Sequence, residues 1–255
     1  MRRLAIVGIQ GLPNNYGGFE TLSDYLVKFL ASSIDITVYC SNEVEKQANC
    51  SYHKAKLKYI NISSHGAKGI FYDSLALLNA SWDNYDVILI LGFGAGFMIP
   101  LLPQKTRKKI ILNFGGLDWK RNKWNKLAQC VIKFCERQLV INAHSLIADN
   151  KYIQEYIIET YKKSSKLIAY GGDQVSYQPI TDDMKSKYPF LNEKYAFEVA
   201  RIQPDNNIDM IIDAFLKVNS MPLVIVGNWN SSKYGINTKA KYKGKSNIIL
   251  LDAIY

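Results

Sequence analysis

The chain has 255 residues, of which 48% are hydrophobic and 21% are charged. This length and composition suit one large or two modest globular domains, and they exclude disordered, collagen-like and low-complexity proteins. The formal net charge of +10 leaves three classes of partner open: nucleic acid, an anionic membrane surface, or phosphorylated small molecules.

Apolar runs alternate with amphipathic segments along the first two thirds of the chain. Short apolar runs bounded by glycine or polar residues predict buried strands, and apolar residues spaced three and four apart predict helices. Strands are predicted over residues 4–8, 36–39, 57–62, 87–91, 109–113, 145–148 and 165–169. Helices are predicted over residues 19–30, 70–79, 124–138 and 151–161. This alternation predicts an α/β, Rossmann-like domain with a parallel sheet covered on both faces.

The same α/β pattern starts again after a polar, proline-containing segment. We therefore predict an N-terminal domain over residues 1–173, a linker over 174–193 and a second domain over 194–255. In the second domain we predict strands over 195–200, 223–226 and 248–251 and a helix over 207–218. A complete domain of this kind needs on the order of 100–150 residues, so we expect the second domain to be incomplete.

Membrane-spanning and metal-binding segments are not predicted. Every apolar run is shorter than the roughly 18 residues of a spanning helix, and the first run, residues 4–9, is too short for a signal peptide. The four cysteines lack Cys-x-x-Cys spacing, which is typical of free thiols in a reducing compartment. Cys50 and His53 have a spacing used in metal sites, but no second ligand pair follows. We expect a cytoplasmic protein without a metal.

A glycine-rich loop joins the first predicted strand to the first predicted helix. It contains Gly8, Gly11, Gly17 and Gly18. Glycine lets the backbone approach a ligand, and the amides at a helix N-terminus attract anions, so the loop predicts a phosphate or sugar-nucleotide site. A tight turn without a ligand is the alternative. The glycine spacing differs from the dinucleotide fingerprint, and the second strand ends without an acidic residue, which argues against an oxidoreductase.

Five sequence blocks are distinctive when taken together. They are Gly-Ile-Gln-Gly-Leu-Pro with Tyr-Gly-Gly-Phe-Glu-Thr (8–13 and 16–21), Gly-Leu-Asp-Trp-Lys-Arg (116–121), Ala-Asp-Asn (148–150), Tyr-Gly-Gly-Asp (170–173) and Arg-Ile-Gln-Pro-Asp-Asn-Asn (201–207). In this order they resemble bacterial rhamnosyltransferases of glycosyltransferase family 4. The resemblance implies a GT-B-type fold, with a complete N-terminal Rossmann-like domain mainly for the acceptor and a second, here incomplete, mainly for the nucleotide-sugar.

The resemblance also implies a reaction. We expect a retaining transfer from a nucleotide-diphosphate donor, dTDP-rhamnose, to a lipid-linked oligosaccharide in capsule or O-antigen synthesis, without a metal or other cofactor. The family's paired-glutamate motif would lie beyond residue 255, so we expect the chain alone to be weak or inactive. A non-catalytic sugar- or membrane-binding fragment is the alternative.

Individual site residues follow from matching the blocks to the family. The donor-binding residues implied are Gly17, Gly18, Arg201 and Asn206. The acceptor-binding residues implied are Tyr16, Glu20, Trp119, Lys120 and Arg121. Asp118 is the candidate for orienting the acceptor hydroxyl.

Three of these matches leave questions open. Arg201 would neutralise the leaving diphosphate, but a surface ion pair is the alternative. Glu20, in the first helical turn, also suits the helix dipole without any ligand. Gly115 stands where the relatives carry aspartate, which puts acceptor choice, or activity itself, in question.

Positive charge is concentrated in the middle of the chain. Residues 105–137 contain ten Lys or Arg against two acidic residues. We predict that Trp124, Leu127, Ala128, Val131, Cys135 and Gln138 share one helical face. The stretch over residues 119–140, with Lys120, Arg121, Lys123, Lys126 and the two tryptophans, suits the anionic inner face of the plasma membrane. A solvated basic face is the alternative, and no nucleic-acid-binding motif is present.

Overall fold

The computed structural model describes residues 1–14, 17–44, 50–121, 124–173, 175–218 and 220–254. The chain divides into two compact units, residues 1–172 and 173–255. Each is described by itself below.

Unit 1 is built on an eight-stranded sheet with the order β3-β4-β2-β1-β5-β6-β7-β8. All neighbouring strands are parallel except β3 and β4. The strands are β1 (Arg3–Val7), β2 (Asp35–Ser41), β3 (Ser51–Tyr52), β4 (Ala55–Ile60), β5 (Val87–Leu91), β6 (Ile110–Phe114), β7 (Ser145–Ala148) and β8 (Lys166–Leu167). The α/β class with a mostly parallel sheet, predicted from the sequence, is confirmed.

Helices connect the parallel strands of unit 1. They are α1 (Gly18–Leu30), α2 (Ala67–Trp82), α3 (Gln104–Arg107), α4 (Lys126–Asn142) and α5 (Lys151–Tyr161). Asn125 and Asn150 cap the starts of α4 and α5, since their side-chain oxygens accept hydrogen bonds from backbone amides 2.9 Å away and so satisfy orphan donors. Short 3-10 turns cover Gly94–Phe97, Ile99–Leu101 and Asp118–Lys120.

The sheet of unit 1 is buried on both faces, as expected for continuous apolar strands. One face packs on α2, α4 and α5 through Leu77, Leu139 and Ile157, and the other packs on α1 through Val27. The Tyr72 hydroxyl lies 2.9 Å from the carbonyl oxygens of both Ile9 and Tyr39. Helix α2 is thereby fixed to the carboxyl ends of β1 and β2.

Unit 2 has a three-stranded parallel sheet with the order β11-β10-β9. Its strands are β9 (Ala196–Val199), β10 (Leu223–Gly227) and β11 (Ile248–Asp252), and its helices are α6 (Asp182–Lys187), α7 (Ile208–Val218) and α8 (Lys233–Tyr242). The core contains Trp229, which is fully buried and whose indole N–H donates to the Leu251 carbonyl 2.8 Å away.

Several boundaries differ from the predictions. Helix α4 begins at Lys126, so Trp124 precedes it, and Leu127 is 75% exposed rather than on the buried face. Helix α6 lies within the segment predicted as a linker. Helix α8 was not predicted, because two of its three buried positions, Gly235 and Thr238, carry no large apolar side chain.

Candidate functional site

The carboxyl edge of the unit 1 sheet brings together the loops that follow β1, β5 and β6. Gly8 has a φ of +97°, and a Cβ there would lie 2.1 Å from the Leu91 carbonyl oxygen. A Cβ on Gly11 would lie 2.9 Å from the Cys40 Sγ atom. Packing and backbone conformation alone therefore require glycine at both positions.

Packing does not require glycine at the first residue of α1, Gly18, because the space around it is open. No described atom lies within 4 Å of a Cβ built on Gly18, and no described side chain caps this helix. Gly17 has a φ of +121°. The first amides of α1 are therefore available to an anion at this edge. Tyr16 lies outside the described residues.

Glu20 connects the first loop to the start of α1. Its Oε1 atom accepts a hydrogen bond from the Gln10 amide at 2.9 Å. Its Oε2 atom lies so close to the Gly17 Cα that an added Cβ would be 2.0 Å away. These contacts give Glu20 a structural function in the loop, and its assignment to the acceptor stays a prediction.

The Phe19 ring lies across the ends of β5 and β6. A Cβ on Gly115 would be 2.2 Å from its Cζ atom, and a Cβ on Gly92 would be 3.6 Å from its Cε2 atom. The ring therefore occupies the space that a side chain at position 115 would need. Gly115, where the resembling family carries aspartate, is matched to the packing of Phe19.

Asp73 is a residue at this edge that the sequence analysis missed. It lies on α2, and its Oδ2 atom would be 2.0 Å from a Cβ built on Gly94. The side chain is partly buried, and no described residue forms a hydrogen bond or ion pair with its carboxyl group. Burial, together with the nearby Glu20 carboxylate, raises the pKa of Asp73 to about 8.

Asp73 left one signal in the sequence. It shares the helical face of Ala76, Leu77 and Ala80, which are all buried. An aspartate on an otherwise apolar stripe is expensive to bury, so its presence there could have marked it as a candidate site residue.

Asn113 adds a second group at the end of β6. It is 4% exposed, and its Nδ2 atom donates to the Tyr170 hydroxyl 3.3 Å away. Its Oδ1 atom is buried and has no hydrogen-bond partner among the described residues. Burial raises the pKa of Tyr170, Asp149 adds to the rise, and the hydrogen bond from Asn113 opposes it.

The turn Asp118–Lys120 follows β6, and Trp119 in it is held inward. The Lys133 ammonium lies 4.5 Å from the centre of the Trp119 ring and donates to the Glu136 carboxylate at 2.9 Å. Although burial opposes its charge, hydrogen bonds with Tyr156 and Glu136 raise the pKa of Lys133. Trp119 is partly buried, and its contact with a membrane surface stays a prediction.

The neighbours of Trp119 lie differently. Lys120 is exposed, whereas Arg121 is partly buried, with its Nη1 atom 3.9 Å from Asp118 Oδ1. Lys123 lies outside the described residues. The structure thus places Asp118, Trp119, Lys120 and Arg121 together after β6, and their acceptor assignments stay predictions.

In unit 2, Arg201 and Asn206 lie in the loop after β9. The Asn206 Nδ2 atom donates to the Arg201 carbonyl oxygen 2.6 Å away, which shapes this loop. Arg201 is exposed, and no described carboxylate forms an ion pair with it. The alternative of a surface ion pair has no support in the described residues.

Comparison with known proteins identifies the family of the first unit. Residues 1–173 match a family described as a domain of unknown function, DUF1972. The chain belongs to the DUF1972 family. None of the curated proteins matches the sequence significantly.

Solved structures show that this DUF1972 chain has a GT-B-type fold along its whole length. Sucrose-phosphate synthase from Thermosynechococcus elongatus superposes with a TM-score of 0.73 at 14% identity, covering 100% of this chain and 71% of that protein. HepE from Anabaena, in complex with UDP and glucose, superposes with a TM-score of 0.71 at 12% identity, covering 100% of this chain and 70% of that protein. UDP-GlcNAc 2-epimerase from Neisseria meningitidis, bound to UDP-GlcNAc, superposes with a TM-score of 0.55 at 14% identity, covering 100% of this chain and 73% of that protein.

Within the described ranges, no three His, Cys, Asp or Glu residues are arranged to hold a metal ion. None of the helices in the part of the chain that the structure describes is long and apolar enough to cross a membrane.

Proposed function

We propose that this chain is part of a glycosyltransferase that moves a sugar from a nucleotide-diphosphate donor to a lipid-linked oligosaccharide. The observation that carries the proposal is the carboxyl edge of the unit 1 sheet, in a chain with a GT-B-type fold throughout. This edge combines open amides at the start of α1 with the Asp73 carboxyl group, which no described side chain engages. Ligands of open α/β sheets bind at this edge.

The sequence resemblance implies donor-binding residues in the loop before α1 and in the loop after β9. Amides at Gly17 and Gly18 would bind a phosphate group through the positive end of α1. Arg201 has no described carboxylate partner, and its guanidinium would attract an anionic group of a donor, while Asn206 would fix the loop that carries it. The bound UDP of HepE supports a nucleoside-diphosphate donor. The choice of dTDP-rhamnose follows from the sequence resemblance.

The reaction needs an oriented acceptor hydroxyl rather than a protein nucleophile. In a retaining transfer without a covalent enzyme intermediate, the acceptor oxygen bonds to the anomeric carbon on the face from which the diphosphate leaves. The departing phosphate oxygen takes the hydroxyl proton. A carboxyl group whose pKa is near 8 can both donate and accept hydrogen bonds with a sugar hydroxyl near neutral pH. We assign this positioning function to Asp73, with Asp118 as a second candidate.

A lipid-linked acceptor requires a membrane-facing surface, and α4 offers one. Leu127, Phe134 and Ile141 recur at seven-residue spacing and are 75%, 45% and 44% exposed. Phe97 lies against Phe134 with ring centres 5.3 Å apart. With Leu101, which is 76% exposed, these five residues are called the α4 apolar face.

Cations border the α4 apolar face. Lys126 and Arg137 on α4 are exposed, as is Lys105 before it. Exposed apolar side chains bordered by cations are typical of helices that lie on anionic bilayers. We therefore propose peripheral association with the inner face of the plasma membrane through this face, instead of through Trp119.

Calorimetry with nucleotide-sugars tests the donor assignment. We expect dTDP-rhamnose to bind more tightly than UDP-glucose or GDP-mannose, and Arg201→Gln to weaken binding about tenfold, the loss of one charge-assisted contact. Lys194→Gln removes a charge from an exposed position of unit 2 and should have no effect. If none of the three compounds binds, the non-catalytic alternative is favoured.

Transfer of labelled rhamnose to a bacterial lipid extract, measured with the full-length protein, tests Asp73. Asp73→Asn should reduce transfer about 100-fold, in the range expected for loss of a positioned proton-handling group, without changing donor binding. Glu155→Gln, at an exposed position of α5, is the matched control. Equal transfer by wild type and Asp73→Asn would remove Asp73 from the site.

Vesicle flotation tests the membrane assignment. We expect the chain to float with phosphatidylglycerol vesicles, and the double change Leu127→Ser/Phe134→Ser to abolish flotation. Phe29→Ser serves as the control, since Phe29 is 73% exposed on α1 outside the α4 apolar face. If the control and the double variant behave alike, the α4 apolar face is not the membrane contact.

A further inference from the structure

A basic pocket lies at the amino edge of the unit 1 sheet, opposite the candidate site. It has a volume of about 290 Å³. Its walls come from α3 and the residue after it, from the last turn of α4, and from the two residues between α4 and β7. The residues that line it include Gln104, Arg107, Lys108, Ile141, Asn142 and His144. None of the described lining residues is acidic.

Arg107 is fixed within this pocket but its charge is not neutralised. Its Nη1 atom donates to Asn142 Oδ1 at 2.5 Å, and Asn142 Nδ2 in turn donates to the Gln138 carbonyl at 2.8 Å. The Arg107 Nε atom is buried without a hydrogen-bond acceptor in the described ranges. No described carboxylate pairs with it. A partly buried guanidinium in this state favours an anion.

Further donors line the same pocket. Lys108, His144 and Gln104 are exposed in the pocket wall. The Lys163 ammonium lies 3.4 Å from the Ile141 carbonyl oxygen at its rim. Several donors around one arginine match the three or four acceptor oxygens of a phosphate better than the two oxygens of a carboxylate. We propose that this pocket binds a phosphate group through Arg107.

The position of the pocket suggests where the phosphate comes from. Ile141 belongs both to the pocket wall and to the α4 apolar face. With 17 residues, α4 is about 25 Å long, and its other end follows the Asp118 turn. A helix lying on a bilayer would therefore present the pocket to phospholipid headgroups. This source rests on the proposed membrane function, whereas the phosphate site itself does not.

Thermal unfolding with inorganic phosphate and flotation with vesicles distinguish the two sources. Inorganic phosphate should raise the melting temperature of the wild-type chain, because a ligand of the folded state stabilises it. The wild-type chain should bind vesicles of phosphatidylcholine that contain about one phosphatidic acid in five lipids more tightly than vesicles of pure phosphatidylcholine. Arg107→Gln should remove the phosphate effect and weaken vesicle binding about tenfold.

Two variants keep the test interpretable. Asn142→Asp gives Arg107 a carboxylate partner, so it should abolish phosphate binding in a chain whose circular dichroism is unchanged. Lys68→Gln removes one charge from an exposed position of α2 and should behave as wild type.

Each outcome has one meaning. Loss of both effects in Arg107→Gln and Asn142→Asp supports a site for lipid phosphate. Loss of the phosphate effect with unchanged vesicle binding supports a site for a soluble phosphate compound. If the melting temperature and vesicle binding of both variants equal those of wild type, the proposal is overturned. Retained dTDP-rhamnose binding and a membrane defect in Leu127→Ser/Phe134→Ser would then leave the proposed function standing.

Discussion

Each edge of the unit 1 sheet holds one ionisable side chain without a described counter-charge, and the side chain is acidic at one edge and basic at the other. The carboxyl edge holds Asp73, a carboxyl group without a described partner, and the amino edge holds Arg107, a guanidinium without a described carboxylate. A fully buried carboxylate of the same unit gives the contrast, because its charge is neutralised. Glu136 is fully buried, but it accepts hydrogen bonds from Lys133, Tyr156 and Tyr161.

This difference indicates where ligands belong. Burying an ionisable group without a partner costs stability, whether the group stays charged or is held neutral by a shifted pKa. A fold that pairs Glu136 yet leaves Asp73 and Arg107 without a counter-charge therefore keeps them for reasons other than stability. Such exceptions are expected at functional sites. Removing the charge of a paired group such as Glu136 or of an unpaired group such as Asp73 should therefore change the free energy of unfolding in opposite directions.

The largest effect is expected from breaking the compensated cluster. Lys133→Met should leave Glu136 buried without its cation and lower the free energy of unfolding by about 3 kcal/mol. Urea denaturation measures this loss. The double variant Lys133→Met/Glu136→Leu removes both charges and should recover most of it. A single variant that loses under about 1 kcal/mol would mean that the cluster is no better compensated than a surface pair.

Asp73 should give the opposite result when its charge is removed. Its pKa is raised to about 8 in the folded chain, against about 3.9 when unfolded. Between these values the unfolded state releases a proton that the folded state keeps, so stability falls as pH rises. Asp73→Asn should lack this decline. Above pH 8 its free energy of unfolding should exceed that of wild type by on the order of 1–3 kcal/mol.

Denaturation between pH 4 and pH 9 (roughly the window of the shift) measures this difference. The groups that face Asp73 are Glu20 from α1 and Cys135 from α4, so Glu20→Gln should reduce the slope without removing it. Parallel curves for wild type and Asp73→Asn would show that the carboxyl group is not held neutral.

The architecture of unit 1 could be predicted because each parallel strand is a short apolar run. β1, β5 and β6 were found in this way, and their order in the chain fixed a parallel α/β sheet. Helix α8 could not be found, since its face against Trp229 uses Gly235, where a Cβ would lie 2.4 Å from the Trp229 carbonyl oxygen. Small residues at a close helix contact leave no apolar period.

The site was predictable only where it followed the chain locally. The glycine loop and the Asp118 turn directly follow strands, which is why the motifs could be placed at the carboxyl edge of the sheet. Asp73 meets Gly94, and Arg107 meets Asn142, across long sequence separations. A basic, aromatic stretch predicted a membrane contact for Trp119, but the sequence could not reveal that Lys133 holds that ring.

A smaller effect is expected where Phe19 covers Gly115. Gly115→Ala should destabilise the chain by about 1 kcal/mol, because the ring must move to accept the new Cβ. Phe19→Leu shortens the side chain, so the same change should cost less in that background. The double-mutant cycle, measured by urea denaturation, reports this coupling. Additive effects would mean that the ring does not occupy the space beside Gly115.

The smallest effect should come from Glu43, a carboxylate at the same edge that contrasts with Asp73. Desolvation opposes its charge, but hydrogen bonds from Ser63, Ser64 and His65 lower the pKa of Glu43 to about 2. A carboxylate with a depressed pKa stabilises the fold above its unfolded pKa and loses that contribution as pH falls. Glu43→Gln should therefore cost about 0.5–1 kcal/mol at pH 6, discounted for its exposure.

The difference between wild type and Glu43→Gln should disappear as the pH falls from about 4.5 towards 2. Asp73→Asn departs from wild type in the other direction, with a difference that grows as pH rises above 4. Two carboxyl groups at the same edge of the sheet would thus show opposite pH dependences, because Glu43 has donors on several sides and Asp73 has none described. If both variants followed the same pH profile, hydrogen bonding would not distinguish the structural carboxylate from the one we assign to the acceptor.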